Sequence, residues 1–433
     1  MLFSFFTALI LMYYFENLNY KFFIGILWSI NLIGLCNSRV LFQENLVILF
    51  LSASVLFLKN ISYKNFFVSV TFLCLALMTK TYSAFFIGVI FFYMVIEFKA
   101  KLITFKEFFI YCIILISGLA VCCVYVYYAY SYYDNSILNY TLFNKQTNIF
   151  FNILTVFNTN FFARIPAISI CAMLFIFFNF FSSLEADQKY RSVDRLMMLW
   201  FIFFIIQQAQ FQYNPLRYYI YLLPPIVYLA CRFIMNLNIY FPVMPLPAKK
   251  KFVLFIFLYF AGYNFIWIYF RSFLNKHIHL FNNMELALGA ALIFFVSFYL
   301  ISIFSGYARN FSIFFPAAII IISSSIGIFQ YYHYFLKNPS FDLRDISADI
   351  GKILKNDSTL AGWYAPQLCI QNKIRALPSY CDSKEYFEKN KVTHLILEEN
   401  SVSEFHDKLR LKIIKSYYIK KIKINLNLYE ISN

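Results

Sequence analysis

The stretch that decides the fold is the apolar run Phe66–Ile96, "FFVSVTFLCLALMTKTYSAFFIGVIFFYMVI", whose only charged residue is Lys80. As a single α-helix this run would be about 46 Å long, at 1.5 Å per residue. The hydrocarbon core of a bilayer is only about 30 Å thick. The run is therefore too long for one span, and it predicts two spans joined by an outer hairpin at Thr79-Lys80-Thr81.

The rest of the chain has the same character. Of its 433 residues, 61% are hydrophobic and only 13% are charged, whereas about a quarter of the residues of a soluble domain are charged. Blocks of this apolar character predict a mainly α-helical, polytopic membrane bundle and exclude a large soluble protein. The blocks predict about twelve spans, at 2–14, 22–36, 41–58, 65–79, 81–97, 108–129, 165–182, 196–211, 217–235, 252–270, 287–306 and 311–332.

The net charge of +16 does not indicate a nucleic-acid partner, because most of the basic excess lies in the short connections between spans. Basic residues collect on the cytoplasmic side of membrane proteins. When connections are assigned alternately to the two sides, the richer side is predicted to be cytoplasmic. Its members are Lys21, Lys59, Lys64, Lys99, Lys101, Lys106, Lys189, Arg191, Arg195, Arg232, Lys249, Lys250, Lys251 and Arg309. With an even number of spans, both termini then lie outside.

The composition changes sharply after residue 336, which predicts a transmembrane domain over 1–336 and an extracytoplasmic domain over 337–433. "FDLRDISADIGKIL" has apolar residues at helical spacing, whereas "STLAGWYAPQLCI", "VTHLILEEN" and "IKINLNLYEISN" are typical of strands. The second domain is therefore predicted to be a small α/β unit. Its two cysteines, Cys369 and Cys381, could form a disulfide in an outside compartment.

Carboxylates are scarce before residue 337, and their positions narrow the search for a site. Six are assigned to solvated cytoplasmic connections, namely Glu16, Glu97, Glu107, Glu185, Asp187 and Asp194. Three remain for the outer side: Glu44, Asp134 and Glu285. A carboxylate at membrane depth is costly unless it is paired or hydrated, so such groups are functional candidates.

Glu44 is the most informative of the three, because it follows Arg39 by about one helical turn in "CNSRVLFQEN" (Cys36–Asn45). One interpretation is an interfacial ion pair that only ends two helices. The other is a polar outer cavity, in which Glu44 binds a metal ion or a sugar hydroxyl and Arg39 binds a phosphate.

Other polar residues of the outer side leave similar alternatives open. Lys80 could bind a phosphate as a point charge or extend to the membrane surface. Arg217 and Tyr218 open the span that contains Pro224-Pro225, and they could bind a phosphate or anchor an aromatic belt. His277 and His279 in "RSFLNKHIHLFNNME" are weak candidates for metal ligands.

The order of these features resembles the GT-C superfamily of membrane glycosyltransferases, in particular the protein mannosyltransferase and lipid A aminoarabinose transferase branch. The resemblance covers most of the chain and rests on "CNSRVLFQEN", "FLCLALMTKTYSAFFIGVIFFYMV", a long outer loop predicted over 130–164, "NPLRYYIYLLPPI", "AGWYAPQL" and "RALPSY". Each motif is short, and their arrangement carries more weight than any one of them.

The resemblance implies an inverting hexosyl- or pentosyltransferase of the cell envelope, in a plasma or bacterial inner membrane. It would take its sugar from a polyprenyl phosphate and pass it to a lipid, glycan or protein acceptor at the outer face. Glu44 matches the family's second acidic motif, which often acts through a divalent metal ion and is expected to be catalytic here. Arg39, Lys80, Arg217 and Tyr218 match, more loosely, the groups around the donor phosphate.

The chain departs from the family at its start. The family begins with a span and an outer loop that carries the principal Asp, whereas Met1–Tyr14 aligns best with the family's second span. The sequence therefore predicts an N-terminally truncated, split or inactive form. Two other functions stay open: a transporter or flippase of lipid-linked glycans, which should show internal repeats, and a non-catalytic membrane scaffold.

Overall fold

The computed structural model describes residues 2–29, 43–132, 165–181, 190–209, 216–236, 321, 324–325, 342–362, 364–369, 372–377, 384–399, 409–419 and 424–432. They belong to two compact units, one helical and one built around a sheet. The described chain is thus mainly helical with one small sheet, as the sequence predicts. The domain boundary predicted after residue 336 lies outside the described residues.

The helical unit consists of nine described α-helices. They are α1 (Leu2–Tyr13), α2 (Leu18–Ser29), α3 (Gln43–Leu58), α4 (Tyr63–Thr79), α5 (Phe85–Lys99), α6 (Phe105–Tyr132), α7 (Pro166–Phe181), α8 (Arg191–Gln208) and α9 (Leu223–Met235). Each lies on a span predicted from the sequence. The last three predicted spans lie outside the described residues, except for residues 321, 324 and 325, so the total number of spans stays a prediction.

The predicted break in the run Phe66–Ile96 is confirmed. Helix α4 ends at Thr79, a 3₁₀ helix follows over Thr81–Ala84, and α5 begins at Phe85. Lys80 lies between them in extended backbone conformation, with φ −159° and ψ 117°. The charged residue therefore lies where the chain reverses, at the end of two apolar helices.

The outward surface of the helical unit suits lipid. Within the described residues, two helical segments are long and apolar enough to cross a membrane by length and composition, Thr81–Lys99 and Phe105–Tyr128. Ile116, Val121 and Val124 of α6 are 65%, 61% and 70% exposed. A band of large exposed apolar side chains on one helix is unusual in contact with water, whereas hydrocarbon accommodates it without penalty.

One end of the helical unit, which we call the basic end, gathers the helix termini that carry the basic residues predicted to be cytoplasmic. The Tyr14 hydroxyl donates to the Ser52 carbonyl at 2.6 Å, and Lys59 Nζ donates to the Tyr14 carbonyl at 3.1 Å. The Tyr93 hydroxyl reaches the Leu58 carbonyl at 3.4 Å. These contacts join the loop after α1 to α3 and to the residue that follows it, and they join α5 to the last residue of α3.

Two carboxylates at the basic end are buried in ion pairs, so their assignment to solvated loops was wrong. Asp194 is 4% exposed and accepts from Nε of the fully buried Arg232 at 2.9 Å, from its Nη2 at 2.8 Å, and from the Tyr228 hydroxyl at 2.8 Å. Glu97, also 4% exposed, accepts from Arg195 Nη1 at 2.7 Å. The sequence could not show this, because the partners lie 38 and 98 residues apart.

Pro224 and Pro225 lie where a 3₁₀ helix gives way to an α-helix. A 3₁₀ helix over Leu216–Leu222 precedes α9, and both prolines lie in the first turn of α9. The first backbone N–H groups of a helix have no partner within the helix, so proline loses nothing there. The span predicted at 217–235 is thus a 3₁₀ helix followed directly by an α-helix, with the two prolines at the change.

The second unit is a five-stranded mixed sheet flanked by helices. Its elements are α10 (Asp342–Ile353), β1 (Thr359–Ala361), α11 (Ala365–Leu368), β2 (Arg375–Leu377), α12 (Lys384–Lys389), β3 (His394–Glu398), β4 (Arg410–Ile419) and β5 (Ile424–Ser432). The strand order is β2-β1-β3-β5-β4. The β1–β2 and β1–β3 pairs are parallel, and the pairs that β5 makes with β3 and β4 are antiparallel.

The sequence predicted part of this unit correctly. Helix α10 and strands β3 and β5 lie within the predicted segments, and Ile346 and Ile350 of α10 are buried in the core with Leu426 and Leu428 of β5. The stretch "STLAGWYAPQLCI" was predicted as one strand, but its described part is a three-residue strand followed by a short helix that contains Pro366. Proline does not fit a central strand.

Cys369 is a free thiol in this structure, and the disulfide with Cys381 stays a prediction. Its side chain is 8% exposed and lies in the core between α10 and the sheet, beside Leu368 and Ile374. Burial raises the pKa of the Cys369 thiol to about 11, because a thiolate loses its hydration there. Cys381 lies outside the described residues.

The Asp194–Arg232 pair generates a stability prediction. Arg232→Met leaves Asp194 buried without its counter-charge, which typically destabilises a protein by about 3–5 kcal/mol. We expect the variant to melt well below the wild type when purified in detergent. Lys106→Met, at an exposed lysine at the start of α6, is the control and should change the melting temperature little. Equal melting temperatures for Arg232→Met and the control would contradict the assignment.

The state of Cys369 generates a second prediction. A buried thiol whose pKa is raised to about 11 is protonated at neutral pH, and only the thiolate is an efficient nucleophile. Maleimide should therefore modify Cys369 slowly at neutral pH and rapidly once the chain is unfolded, as measured by peptide mass spectrometry. Recovery of a peptide pair linked through Cys369 and Cys381 would contradict this account.

Candidate functional site

The structure brings together two residues that the sequence singled out separately. Glu44 lies in the first turn of α3, and Lys80 lies between α4 and the 3₁₀ helix Thr81–Ala84. Lys80 Nζ donates a hydrogen bond to Glu44 Oε1, which forms an ion pair across 36 residues of sequence. The side chains are 5% exposed for Glu44 and 21% exposed for Lys80. The carboxylate is therefore enclosed, whereas the ammonium group is partly accessible.

Local hydrogen bonds hold the backbone of Lys80. Its N–H donates to the Ala76 carbonyl at 2.9 Å and so closes the last turn of α4. Its own carbonyl accepts from the Ser83 N–H at 3.1 Å and from the Ser83 hydroxyl at 2.8 Å. The side chain therefore leaves from a tight, hydrogen-bonded turn, which limits the positions that the ammonium group can reach.

A third element reaches the same turn. Gln207, in the last turn of α8, donates from Nε2 to the Tyr82 carbonyl at 2.9 Å. The Tyr82 ring packs against Tyr221, with 5.6 Å between ring centroids, and against Phe204, at 6.3 Å. Residues from α8 and from the 3₁₀ helix Leu216–Leu222 therefore lie around the turn after Lys80, at the end of the helical unit opposite the basic end.

Arg217 and Tyr218 lie in the 3₁₀ helix Leu216–Leu222, which packs against the start of α9 and against α3 and α8. Their backbone is therefore at the same end as Glu44 and Lys80, while their side chains lie outside the described part of the structure. Arg39, His277 and His279 lie outside the described residues altogether. The two outer carboxylates Asp134 and Glu285 do so as well.

Metal binding at this site stays a prediction. Glu44 offers one carboxylate, and one of its oxygens is bound by Lys80. Among the residues that the structure describes, no three His, Cys, Asp or Glu side chains come together as a metal site would require. The weak candidates His277 and His279 are not among those residues.

Sequence reasoning missed Gln207 and Ser83. Ser83 is the easier of the two to find from the sequence, because a serine just after the end of a helix often hydrogen-bonds to nearby backbone. Gln207 has a weaker signal: it ends the apolar run Leu199–Ile206, where a polar residue can mark a buried contact. No pattern within one sequence shows that it meets Tyr82, which is 125 residues away.

The Lys80–Glu44 pair suits a ligand that carries a compact anionic group such as a phosphate. An ammonium group acts as a point charge for phosphate, and Lys80 presents one at a hairpin between apolar helices. In the ligand-free chain Glu44 neutralises this charge. An incoming anion must therefore compete with Glu44 for Lys80, and its arrival releases the carboxylate for another partner.

A search of solved structures finds the same architecture in ArnT from Cupriavidus metallidurans, bound to undecaprenyl phosphate. The two share 11% sequence identity with a TM-score of 0.52, and the alignment covers 99% of this chain and 82% of ArnT. The chain has the fold of ArnT. ArnT in the apo state aligns with 9% identity and a TM-score of 0.48 over the same shares of the two chains. No protein-family model matches the chain, and no curated protein matches it.

The likeness to ArnT is therefore found in the structure, while the two sequences share little. An identity of 11% leaves few positions to align by sequence, whereas the structural alignment covers 99% of this chain. The resemblance inferred from the order of spans and short motifs is confirmed at the level of the fold.

Proposed function

We propose that the chain is a membrane glycosyltransferase that takes its sugar from a polyprenyl phosphate at the outer face of the membrane. The observation that carries the proposal is the ion pair between Lys80 and Glu44 at a hairpin of apolar helices, in a fold shared with a protein that was solved with undecaprenyl phosphate bound. The acceptor would be a lipid, a glycan or a protein.

Lys80 would bind the donor phosphate. The phosphate carries negative charge before transfer and gains more as the glycosidic bond breaks, so a fixed cation stabilises the transition state more than the ground state. Arg217 and Tyr218, whose backbone lies at the same end, are the further candidates for phosphate contacts. Arg39 is a candidate on sequence grounds.

Glu44 would serve the acceptor. Once Lys80 turns to the phosphate, the carboxylate is available to accept a proton from a hydroxyl group. The acceptor oxygen then attacks the anomeric carbon of the sugar, and the bond between that carbon and the phosphate oxygen breaks. The polyprenyl phosphate leaves with the bonding electron pair, and the hydroxyl proton passes to Glu44. A single displacement of this kind inverts the anomeric configuration.

The aromatic and aliphatic helices around the site would hold the isoprenoid chain, since an apolar groove between helices is the natural place for a long hydrocarbon. A divalent metal ion at Glu44 remains part of the proposal. It would supply positive charge at the acceptor hydroxyl or the leaving phosphate. The sheet unit at the C-terminal end would be extracytoplasmic.

The proposal predicts that Lys80→Met weakens the binding of undecaprenyl phosphate. Loss of one charged hydrogen bond corresponds to roughly a ten- to hundredfold rise in Kd. Native mass spectrometry of the chain in detergent, titrated with undecaprenyl phosphate, measures the change. Lys59→Met is the matched control, because Lys59 is also half-buried but lies at the basic end. Equal affinity in both variants would contradict a phosphate role for Lys80.

Glu44→Gln should lower transfer without weakening the binding of undecaprenyl phosphate. The substitution removes the carboxylate that competes for Lys80, so undecaprenyl phosphate should bind at least as tightly as to the wild type. Transfer should fall by about a hundredfold or more, since the proton acceptor is lost. Release of undecaprenyl phosphate from a panel of its hexosyl and pentosyl derivatives measures the transfer. Unchanged transfer in Glu44→Gln would contradict the catalytic role and favour a scaffold or a transporter.

A further inference from the structure

The contact between Gln207 and Tyr82 lies beside the proposed site and is not explained by the proposed chemistry. Gln207 lies in the last turn of α8, and its Nε2 donates to the main-chain carbonyl of Tyr82 at 2.9 Å. A carbonyl only accepts hydrogen bonds, so the amide orientation is fixed by this contact. The other amide atom, Oε1, is buried and has no hydrogen-bond partner in the described structure.

This half-satisfied amide is an unfavourable choice for packing alone. A buried acceptor without a partner destabilises a fold, and replacement by an apolar group of similar shape can be nearly neutral or better. The eight preceding residues of α8, Leu199–Ile206, are all apolar. The donor half of Gln207 is therefore the part that explains a glutamine at this position.

The donor half holds the turn that carries Lys80. Tyr82 is the second residue of the 3₁₀ helix Thr81–Ala84, which begins directly after Lys80. On the α4 side, the Lys80 N–H is fixed to the Ala76 carbonyl. On the other side, Ser83 binds the Lys80 carbonyl. The Gln207 contact is the described side-chain hydrogen bond that ties this turn to α8.

We propose that Gln207 is a positioning residue for Lys80. Through the Tyr82 carbonyl it fixes the turn that directs the ammonium group towards Glu44 and, when a donor is bound, towards the donor phosphate. The phosphate part rests on the proposed function. The positioning of Lys80 by Gln207 is independent of the proposed function.

The variants separate hydrogen bonding from packing. Gln207→Met keeps the length of the side chain and removes the donor. Gln207→His keeps a ring N–H at a similar reach and should restore the contact. Ser69→Ala is the matched control. It removes a buried hydrogen bond of 2.7 Å between Ser54 of α3 and Ser69 of α4. This bond lies away from the turn that carries Lys80.

The first readout needs no donor. The full chain in detergent is treated with an amine-reactive acetylating reagent, and the rate of acetylation at Lys80 is followed by peptide mass spectrometry. We expect Gln207→Met to raise the rate about fivefold or more, as typical of coupled neighbouring groups, since a loosened turn lets Lys80 leave Glu44. Gln207→His and Ser69→Ala should stay near the wild-type rate. An unchanged rate in Gln207→Met overturns the proposal.

The second readout uses undecaprenyl phosphate as the probe. Gln207→Met should raise its Kd about fivefold in the wild-type background and less than about twofold in the Lys80→Met background, because its effect passes through Lys80. Equal effects in both backgrounds overturn the proposal. If the wild type binds no undecaprenyl phosphate while Gln207→Met still accelerates acetylation of Lys80, the positioning role stands and the proposed function fails.

Discussion

The constraint on which this structure depends is the cost of placing a carboxylate among apolar helices. Within the described residues of the helical unit, three carboxylates are buried: Glu44, Glu97 and Asp194. Each is paired with a basic side chain from a different helix or from the turn that follows one. Because an unpaired charge would be far more costly there than in water, each pair fixes how two segments meet.

Two of the three pairs lie at the basic end of the helical unit, and the Lys80–Glu44 pair lies at the opposite end. The pairs differ in how far their basic side chains are exposed. Arg232 is fully enclosed, and three aromatic rings surround it at 4.7–5.9 Å, from Tyr190, Tyr20 and Phe175. Both members of its pair are buried, and the pair joins α8 to α9. Lys80, in contrast, keeps 21% of its side chain exposed. A pair with one accessible member can exchange partners, which is what a phosphate-binding site needs.

The sequence predicted the features that depend on local pattern. The single charge inside the long apolar run Phe66–Ile96 predicted the hairpin at Lys80. The scarcity of carboxylates on the outer side singled out Glu44 as a candidate. It did not predict that these two residues bind each other, because contacts between segments 36 residues apart leave no mark in a single sequence. The same limit explains the wrong assignments of Glu97 and Asp194. Both lie close in sequence to basic residues, which suggested solvated loops, and only the packing of the helices shows that they are buried.

The proposed function joins this pair to a fold found through structure at 11% identity, so the decisive test concerns the ligand itself. The most direct measurement is a cryo-electron microscopy structure of the purified chain with undecaprenyl phosphate. The account predicts phosphate density within hydrogen-bonding distance of Lys80 Nζ, about 2.7–2.9 Å, with Glu44 released from the lysine. Phosphate density elsewhere, with the Lys80–Glu44 pair intact, would contradict it.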